Sequence, residues 1–309
     1  MRVPPAPRAR PGRPRTRAGR PRPGRPRPGR PRTRAGRPRR GGALTYAVLA
    51  GVTAVSLFPL LWTAVAASAD TTRLARTPPP LWFGDRLAGN LSTAWTDAHL
   101  GAALCNTAFV AGTVAAGTVL VSTLAGFAFA KLRFRGRRAL LLVVVGTMMV
   151  PPQLSAVPLY LLVARLGWAD RLQAVILPAL VSAFGVFFMR QYLLGALPGE
   201  LVEAARVDGA GAWRIVWHVV FPAARPAMAV LAMLTFVMAW NDFFWPVIAL
   251  TQSGSPTVQV ALTGLGRGYV PDQAVVMAGA LLGTLPLLLV FAAFGRQIVG
   301  GIMRGAVKG

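Results

Sequence analysis

Six long apolar segments constrain this sequence more than any other feature. Five of them contain no charged residue, and the other contains only Asp242. They cover residues 44–68, 104–130, 139–163, 172–189, 226–250 and 274–294. Each is long enough to cross the hydrocarbon core of a bilayer as a helix, which takes about 17–25 residues. Because a chain in lipid must satisfy its backbone hydrogen bonds internally, the pattern predicts an all-α integral membrane protein with six transmembrane helices.

The distribution of positive charge predicts how these helices are oriented. Lysine and arginine concentrate before the first segment, after the second, after the fourth and after the sixth. The segments between them, 69–100, 165–171 and 251–273, carry balanced or nearly balanced charge. Since cytoplasmic loops hold the excess of positive residues, we expect both termini and the 190–225 loop in the cytoplasm.

Residues 1–42 differ in composition from the rest of the chain. They contain 16 of the 34 basic residues and no acid, in repeated Gly-Arg-Pro-Arg units. Prolines, like charges and the lack of apolar side chains predict a disordered cytoplasmic tail, separate from a domain over 43–309. Binding of anionic lipid or nucleic acid is one interpretation. A topology anchor, or a translation start assigned too far upstream, is favoured over it.

The sequence offers no residues for catalysis or ATP binding. Neither Lys131 nor Lys308 completes a G-x-x-x-x-G-K pattern, so no P-loop is present. The apolar segments contain no paired carboxylates, histidine cluster or activated nucleophile, which argues against an intramembrane enzyme. A proton relay needs more ionisable groups than Asp242 alone. We therefore expect no catalytic, cofactor-binding or metal-binding residues.

A short polar segment between the fourth and fifth apolar segments has its own pattern. It contains Glu203, Ala204, Ala205, Asp208 and Gly209. Small residues beside two acids form a charged surface that another protein can approach closely. Because glycine accepts the backbone angles of a sharp reversal, we predict a break between two short helices at Gly209. An amphipathic helix lying on the membrane is the alternative interpretation.

This segment resembles the EAA loop of permease subunits in binding-protein-dependent ABC transporters. The family pattern begins with Glu-Ala-Ala and has a Gly after three further residues. After nine more residues it ends with an aliphatic residue, any residue, an apolar residue and Pro. In this chain Val219, Phe221 and Pro222 occupy the aliphatic, apolar and Pro positions. Residues 149–160, 240–243 and 305–309 are also similar to carbohydrate-type permeases related to the smaller maltose-transporter permease. The resemblance covers about residues 44–309. It implies a MetI-like core fold over about 98–300.

The resemblance implies a function and a set of partners. The chain would be a permease subunit of an ABC importer, forming half of the pathway for uptake of a sugar or oligosaccharide across the bacterial cytoplasmic membrane. Glu203, Ala204, Ala205, Asp208, Gly209 and Pro222 would couple it to ABC ATPase subunits, which bind ATP and Mg²⁺. A second homologous permease and an extracytoplasmic solute-binding protein complete the implied assembly in the lipid bilayer. We expect no nucleic-acid partner.

Polar residues inside the apolar segments, and the aromatic residues beside them, are candidates for the substrate pathway. They are Trp240, Asn241, Asp242 and Phe243 in the fifth segment and Gln153 after Pro151 and Pro152 in the third. Amide and carboxylate groups beside aromatic rings suit the hydroxyls and flat faces of a sugar. The alternative is an interhelical hydrogen bond with interfacial aromatic residues. For Asn106 and Thr107, helix–helix hydrogen bonding is the favoured interpretation.

Two other functions stay open at this point. One is an importer permease for a different solute, such as a peptide, a polyamine or glycerol phosphate. The other is a membrane scaffold whose 1–42 tail binds nucleic acid or lipid. Deletion of residues 1–42 separates the scaffold from the transport functions, because transport should survive the deletion and tail-dependent binding should not.

Overall fold

Helices account for all the regular structure in the part of the chain that the structure describes. This computed structural model describes residues 42–251, 254–266 and 272–306, with side chains up to residue 293. The predicted tail therefore falls outside these ranges, apart from Gly42. In chain order the helices are α1 (Ala43–Ser68), α2 (Thr71–Leu74), α3 (Leu87–Asp97), α4 (Leu100–Lys131), α5 (Arg137–Thr147), α6 (Ala156–Arg165), α7 (Leu172–Ala179), α8 (Ala183–Ala196), α9 (Gly199–Val207), α10 (Ala212–Ile215), α11 (Phe221–Trp240), α12 (Phe244–Ala249), α13 (Val258–Leu265) and α14 (Gln273–Ala306). A 3-10 turn (Pro152–Ser155) precedes α6, and a π-helical turn (Val216–Val220) precedes α11.

The chain divides into two units within α1. The first unit ends at Gly51, and its described part is the opening stretch of α1. The second begins at Val52 and contains the helices of the candidate sites described below.

Five stretches of the described chain are long and apolar enough to cross a membrane. They are Ala43–Ser68, Leu100–Lys131, Leu172–Ala196, Ala212–Trp240 and Gln273–Ala293. The remaining predicted span, 139–163, consists of two helical pieces, Arg137–Thr147 and Pro152–Arg165, bent by 95°. Proline explains the bend, because it lacks an N–H and its ring clashes with the preceding turn. The described chain thus has five candidate spans, or six if the bent pair is one.

The fifth predicted span is not one helix from 226 to 250. The helical stretch begins upstream at Ala212, α11 ends at Trp240, and α12 is a separate short helix. Pro246 supplies the reason. In a continuous helix the ring of Pro246 would clash with the carbonyl of Asp242, four residues back, and that carbonyl would receive no hydrogen bond because proline has no N–H. The prediction of an uninterrupted fifth helix around Asp242 was therefore wrong, and Asp242 lies in the break.

Two other predicted boundaries also move. α7 ends after Pro178, and α8 begins at a cap in which the Ser182 hydroxyl accepts a hydrogen bond from the Gly185 N–H (3.1 Å). α8 then continues to Ala196, so the loop predicted from residue 190 begins later. α14 likewise continues beyond residue 294 to Ala306.

Small residues allow α4 to pack closely against α8. A Cβ added at Gly126 would lie 2.8 Å from the backbone nitrogen of Arg190 and 2.8 Å from Cβ of Met189. A Cβ at Gly185 would meet the hydroxyl of Ser122. Because close packing drives helix association in lipid, these positions require residues without bulk. The small-residue composition of the second span therefore serves the contact between α4 and α8, and α4 packs against α11 as well.

Polar groups of α4 hold the chain that leads into α13. The Thr107 hydroxyl accepts a hydrogen bond from the Val258 N–H (2.8 Å) and donates to the Ala103 carbonyl (2.8 Å). The Asn106 side-chain amide donates to the Pro256 carbonyl (3.1 Å). The interpretation of helix–helix hydrogen bonding is confirmed for Thr107, which bonds to the first residue of α13, whereas Asn106 bonds to the segment before that helix.

Candidate functional site

One buried side chain holds α9, the helix that contains Glu203, to the rest of the bundle. Val202 is 3% exposed and packs in a cluster with Leu193 and Leu197 from the end of α8 and Ile215 from α10. Burial of a valine side chain contributes about 1.5–3 kcal/mol of apolar transfer energy. Most other side chains of α9 are exposed. The helix is therefore fixed at one face and accessible over the remainder.

Gly209 reverses the chain after α9, as the sequence predicts. Its φ is +76°, in the left-handed region. The Gly209 N–H donates to the Arg206 carbonyl (3.0 Å), and the Ala210 N–H donates to the Ala205 carbonyl (2.9 Å). These two bonds form a Schellman motif, the usual glycine-dependent helix ending. Ala205 and Ala210 both pack against the cluster around Val202, which explains why small apolar residues stand there.

The second helix after this turn is longer than predicted. α10, the π-helical turn and α11 together form the single candidate span Ala212–Trp240. Pro222 lies in the first turn of α11 and cannot donate an N–H to the His218 carbonyl. The π-helical turn before it absorbs that defect, so the helix widens locally instead of ending. The turn at Gly209 is consequently joined to Trp240 by one continuous helical stretch.

The exposed face of α9 combines acidic and apolar side chains. Glu203, Ala204 and Asp208 are exposed, and no ion pair or hydrogen bond in the described part of the chain uses the Glu203 carboxylate. Val207 beside them is 89% exposed, and Trp213 across the turn is 69% exposed. Apolar side chains exposed together with charged groups are typical of a protein-docking surface. Val207 was not among the predicted site residues; its position between the charged Arg206 and Asp208 was the available indication.

The second candidate site lies where α11 ends. Trp240 is 3% exposed, and its indole N–H donates to the Gly283 carbonyl of α14 (3.1 Å). Trp240 therefore takes the interhelical role that the sequence left as the alternative. The Asn241 side-chain amide donates to the Val237 carbonyl (2.8 Å), one turn back, and Asn241 itself is exposed. Asp242 is half-buried and Phe243 is exposed in the break before α12.

Gln153 lies at the bend between α5 and α6, in the 3-10 turn, and is exposed. α12, which follows the Asp242 break, packs against α6 and α7. The Trp245 indole N–H fixes α12 by donating to the Ala174 carbonyl (2.9 Å). The structure thus brings the helix that follows Gln153 against the helix that follows Asp242. Within the described residues, no group of three or more histidine, cysteine or acidic side chains could hold a metal ion.

Comparisons with known proteins agree with this architecture. The family described as "Binding-protein-dependent transport system inner membrane component" matches residues 118–303. The chain is 34% identical over 263 residues to the lactose transport system permease protein LacG of Rhizobium radiobacter, which covers 85% of this chain and 95% of LacG. It is 31% identical over 255 residues to the sn-glycerol-3-phosphate transport system permease protein UgpE of Yersinia enterocolitica, which covers 80% of this chain and 90% of UgpE.

A solved structure is similar in fold. It is the crystal structure of a bacterial ABC transporter involved in the import of the acidic polysaccharide alginate. One of its chains matches with a TM-score of 0.68 at 22% identity, over 82% of this chain and 95% of that chain. The match over residues 118–303, and the relatives that align over most of their length, lead to one conclusion. This chain belongs to the family of inner-membrane components of binding-protein-dependent transport systems.

Proposed function

We propose that this chain is one of two transmembrane subunits of an ABC importer that takes up a sugar or oligosaccharide. The observation that carries the proposal is the exposed α9 helix, which ends in the Gly209 turn and presents an unpaired Glu203. The importer would contain a second, homologous permease, ABC ATPase subunits that bind ATP and Mg²⁺, and an extracytoplasmic solute-binding protein. The substrate class follows from LacG, whose name states lactose transport.

The proposed topology has six spans and cytoplasmic termini. It counts the bent pair Arg137–Thr147 and Pro152–Arg165 as one span, in addition to the five continuous ones. Residues 43–309 form the permease domain, and residues 1–42 are a tail outside it. The positive charge of the loops then places α9 on the cytoplasmic side. A tag at Arg206 that is protected from protease in sealed, right-side-out vesicles would agree, whereas cleavage there would contradict the topology.

In the proposed mechanism, α9 is the helix through which the ATPase acts on the pathway. Glu203 and Val207 would bind in a groove of the ATPase, and closure of the two ATPase subunits would move the turn at Gly209. Because the stretch Ala212–Trp240 is continuous, displacement at the turn would be transmitted along it to the break at Asp242. This is alternating access by movement of helices as rigid bodies.

The break after Trp240 supports a substrate pathway nearby. Non-helical backbone at membrane depth is tolerated only where protein or a water-filled cavity surrounds it. Asn241, Asp242 and Phe243 form such a stretch, and Gln153 lies at a second helix break. We assign these four residues to the pathway, with amide and carboxylate groups facing sugar hydroxyls. Trp240 would hold the break in place through its bond to Gly283.

Charge reversal at Glu203 tests the coupling. The chain would be co-expressed with its partner permease, ATPase and binding protein and reconstituted in vesicles. In the proposed interface Glu203 pairs with a basic residue of the ATPase. Glu203→Lys should therefore lower substrate-stimulated ATP hydrolysis and uptake about tenfold or more, because it brings like charges together at the interface. Asp97→Lys makes the same charge change at an exposed acid at the end of α3 and should have little effect. Unchanged coupling in Glu203→Lys would refute the assignment of α9.

A second candidate substrate is a phosphorylated polyol. UgpE, whose name states sn-glycerol-3-phosphate transport, aligns over 255 residues at 31% identity, close to the figure for LacG. Uptake of labelled disaccharides and of labelled glycerol 3-phosphate by the same vesicles separates the two. Transport of glycerol 3-phosphate alone would replace the sugar assignment and leave the coupling mechanism intact.

A further inference from the structure

Four arginines from two separate parts of the chain line one cleft. The cleft has a volume of about 460 Å³ and is lined by Arg133, Phe134, Arg137, Arg138, Leu141 and Arg190. Arg133 precedes α5, Arg137 and Arg138 open it, and Arg190 comes from α8, which packs against α5. In the sequence these arginines are visible only as positive charge in predicted loops. Their convergence concentrates positive charge in one cleft.

The charge of this cleft is not neutralised by described protein groups. No acidic residue occurs between Asp97 and Asp170 in the sequence, and no described ion pair involves these arginines. Arg137 donates to the Leu132 carbonyl (3.0 Å), which uses only part of its donor capacity. The Nε of Arg190 is buried and has no hydrogen-bond partner in the described structure. The same guanidinium donates through a terminal nitrogen to the Gln191 side-chain oxygen (3.0 Å). A buried donor without a partner costs free energy, so a turn of the Arg190 side chain toward an anionic acceptor in the cleft would relieve that cost.

A cluster of arginines suits an oxyanion such as a phosphate group. Arginine forms planar, bidentate pairs with phosphate oxygens, and several arginines around one anion add such pairs. The N-terminus of α5, which has no side-chain cap, opens beside the same cleft, and its N–H groups attract negative charge.

Apolar side chains beside the arginines indicate what carries the phosphate. Phe134 and Leu141 line the cleft itself. No described residue of α5 is buried, and Leu142 next to the cleft is 72% exposed. An apolar helix face next to a basic cleft matches the acyl chains and headgroup of a phospholipid. We propose that the cleft binds the phosphate of an anionic phospholipid, with its acyl chains along α5.

Bound lipid would act close to α9. Arg190 lies on α8, which ends at Ala196, and α9 begins at Gly199. A phosphate held between Arg190 and the start of α5 would therefore join α5 to the helix that leads into α9. The lipid would hold that helix in position without touching the sugar pathway. This inference concerns regulation and does not depend on which solute is carried.

Lipid retention by the purified full-length chain tests the proposal. Native mass spectrometry in detergent would be carried out with phosphatidylglycerol, with phosphatidylcholine and with inorganic phosphate as separate additions. We expect retention of phosphatidylglycerol, weaker retention of phosphatidylcholine, and no displacement by millimolar phosphate. Arg137→Gln and Arg138→Gln should each weaken phosphatidylglycerol binding about fivefold, the usual effect of one basic residue at an anionic membrane surface. Arg190→Gln should weaken it by at least as much.

Arg135→Gln is the matched control. Arg135 lies in the same loop and is exposed, but it does not line the cleft. Near-normal binding by Arg135→Gln, together with loss in the cleft variants, would support a built site. Equal loss in all the variants would mean delocalised charge and would overturn the proposal. Binding of inorganic phosphate without retention of lipid would mean that the cleft binds free phosphate, and would overturn the assignment of a phospholipid. Wild-type binding in Arg138→Gln and Arg190→Gln would overturn the site itself.

Discussion

Substitution of Gly209 isolates the backbone requirement of the turn after α9. At φ +76° a residue with a Cβ is strained by about 1–2 kcal/mol, and asparagine by less because it tolerates this region. No atom lies within 4 Å of the position that a Cβ at Gly209 would take, so crowding adds nothing. Gly209→Ala should therefore lower the equilibrium ratio of native to non-native turn about 5–30-fold, since that is the equivalent of 1–2 kcal/mol. The native-turn ratio of Gly209→Asn should lie between those of Gly209→Ala and the wild type.

This strain should affect α9 more than the bundle. Helices as short as Gly199–Val207 are not stable alone in water, so α9 depends on its cap and on the packing of Val202, Ala205 and Ala210. The helices around α4 do not depend on the turn. Gly209→Ala should consequently insert in the membrane normally while α9 populates its docking geometry less often.

The assay measures ATP hydrolysis by the reconstituted importer with and without substrate. Thermal stability of each variant is measured separately in detergent. Gly211→Ala is the control, because Gly211 has an ordinary φ of −65° and nothing within 4 Å of an added Cβ. We expect stimulation to fall in the order glycine, asparagine, alanine at residue 209, with unchanged thermal stability. Equal stimulation in Gly209→Ala and Gly211→Ala would refute the reasoning, as would identical losses for alanine and asparagine.

Three further predictions concern the bundle and the tail. Gly126→Ala should destabilise the protein by about 1–3 kcal/mol, the usual cost of overpacking. Gly112→Ala, in the same helix, places its Cβ in open space and should be neutral. Thermal unfolding in detergent compares the two variants. Trp240→Phe removes the hydrogen bond to Gly283 and should cost about 0.6–1.7 kcal/mol, the range for interhelical bonds in membranes. A thermal midpoint equal to that of wild type would contradict this role. Deletion of residues 1–42 should leave uptake unchanged, and loss of transport in a correctly inserted deletion variant would show that the tail belongs to the transport machinery.

The segment from Glu203 to Gly209 was predictable from sequence in its main features. Gly209 marks the break because few other residues adopt its backbone angles, and that constraint is local. The accessibility of Glu203 and Val207 was not predictable, because it depends on which side of α9 packs against α8 and α10. The packing of Val202 decided which residues of this segment remain accessible.

The break at the end of the fifth predicted span was not predictable from hydropathy. Hydropathy treats residues 226–250 as one span, since Asn241 and Asp242 are outweighed by apolar neighbours. Pro246 carried the information that the helix cannot pass Asp242, but its effect acts four residues back along the chain. That the indole N–H of Trp240 reaches Gly283 could not be read from either segment alone, because it depends on how α11 packs against α14.

By itself, the sequence determined which segments are apolar enough to cross a membrane, where proline and glycine can interrupt them, and to which family the motif points. These properties are local, because in lipid each helix must satisfy its own backbone hydrogen bonds. Only the tertiary structure decided that Arg133 and Arg190, far apart in the chain, share a cleft. It also decided that α9 is held by one buried valine and joined through its turn to a continuous helix ending at Trp240. Both depend on contacts between helices, which the composition of a single segment does not encode.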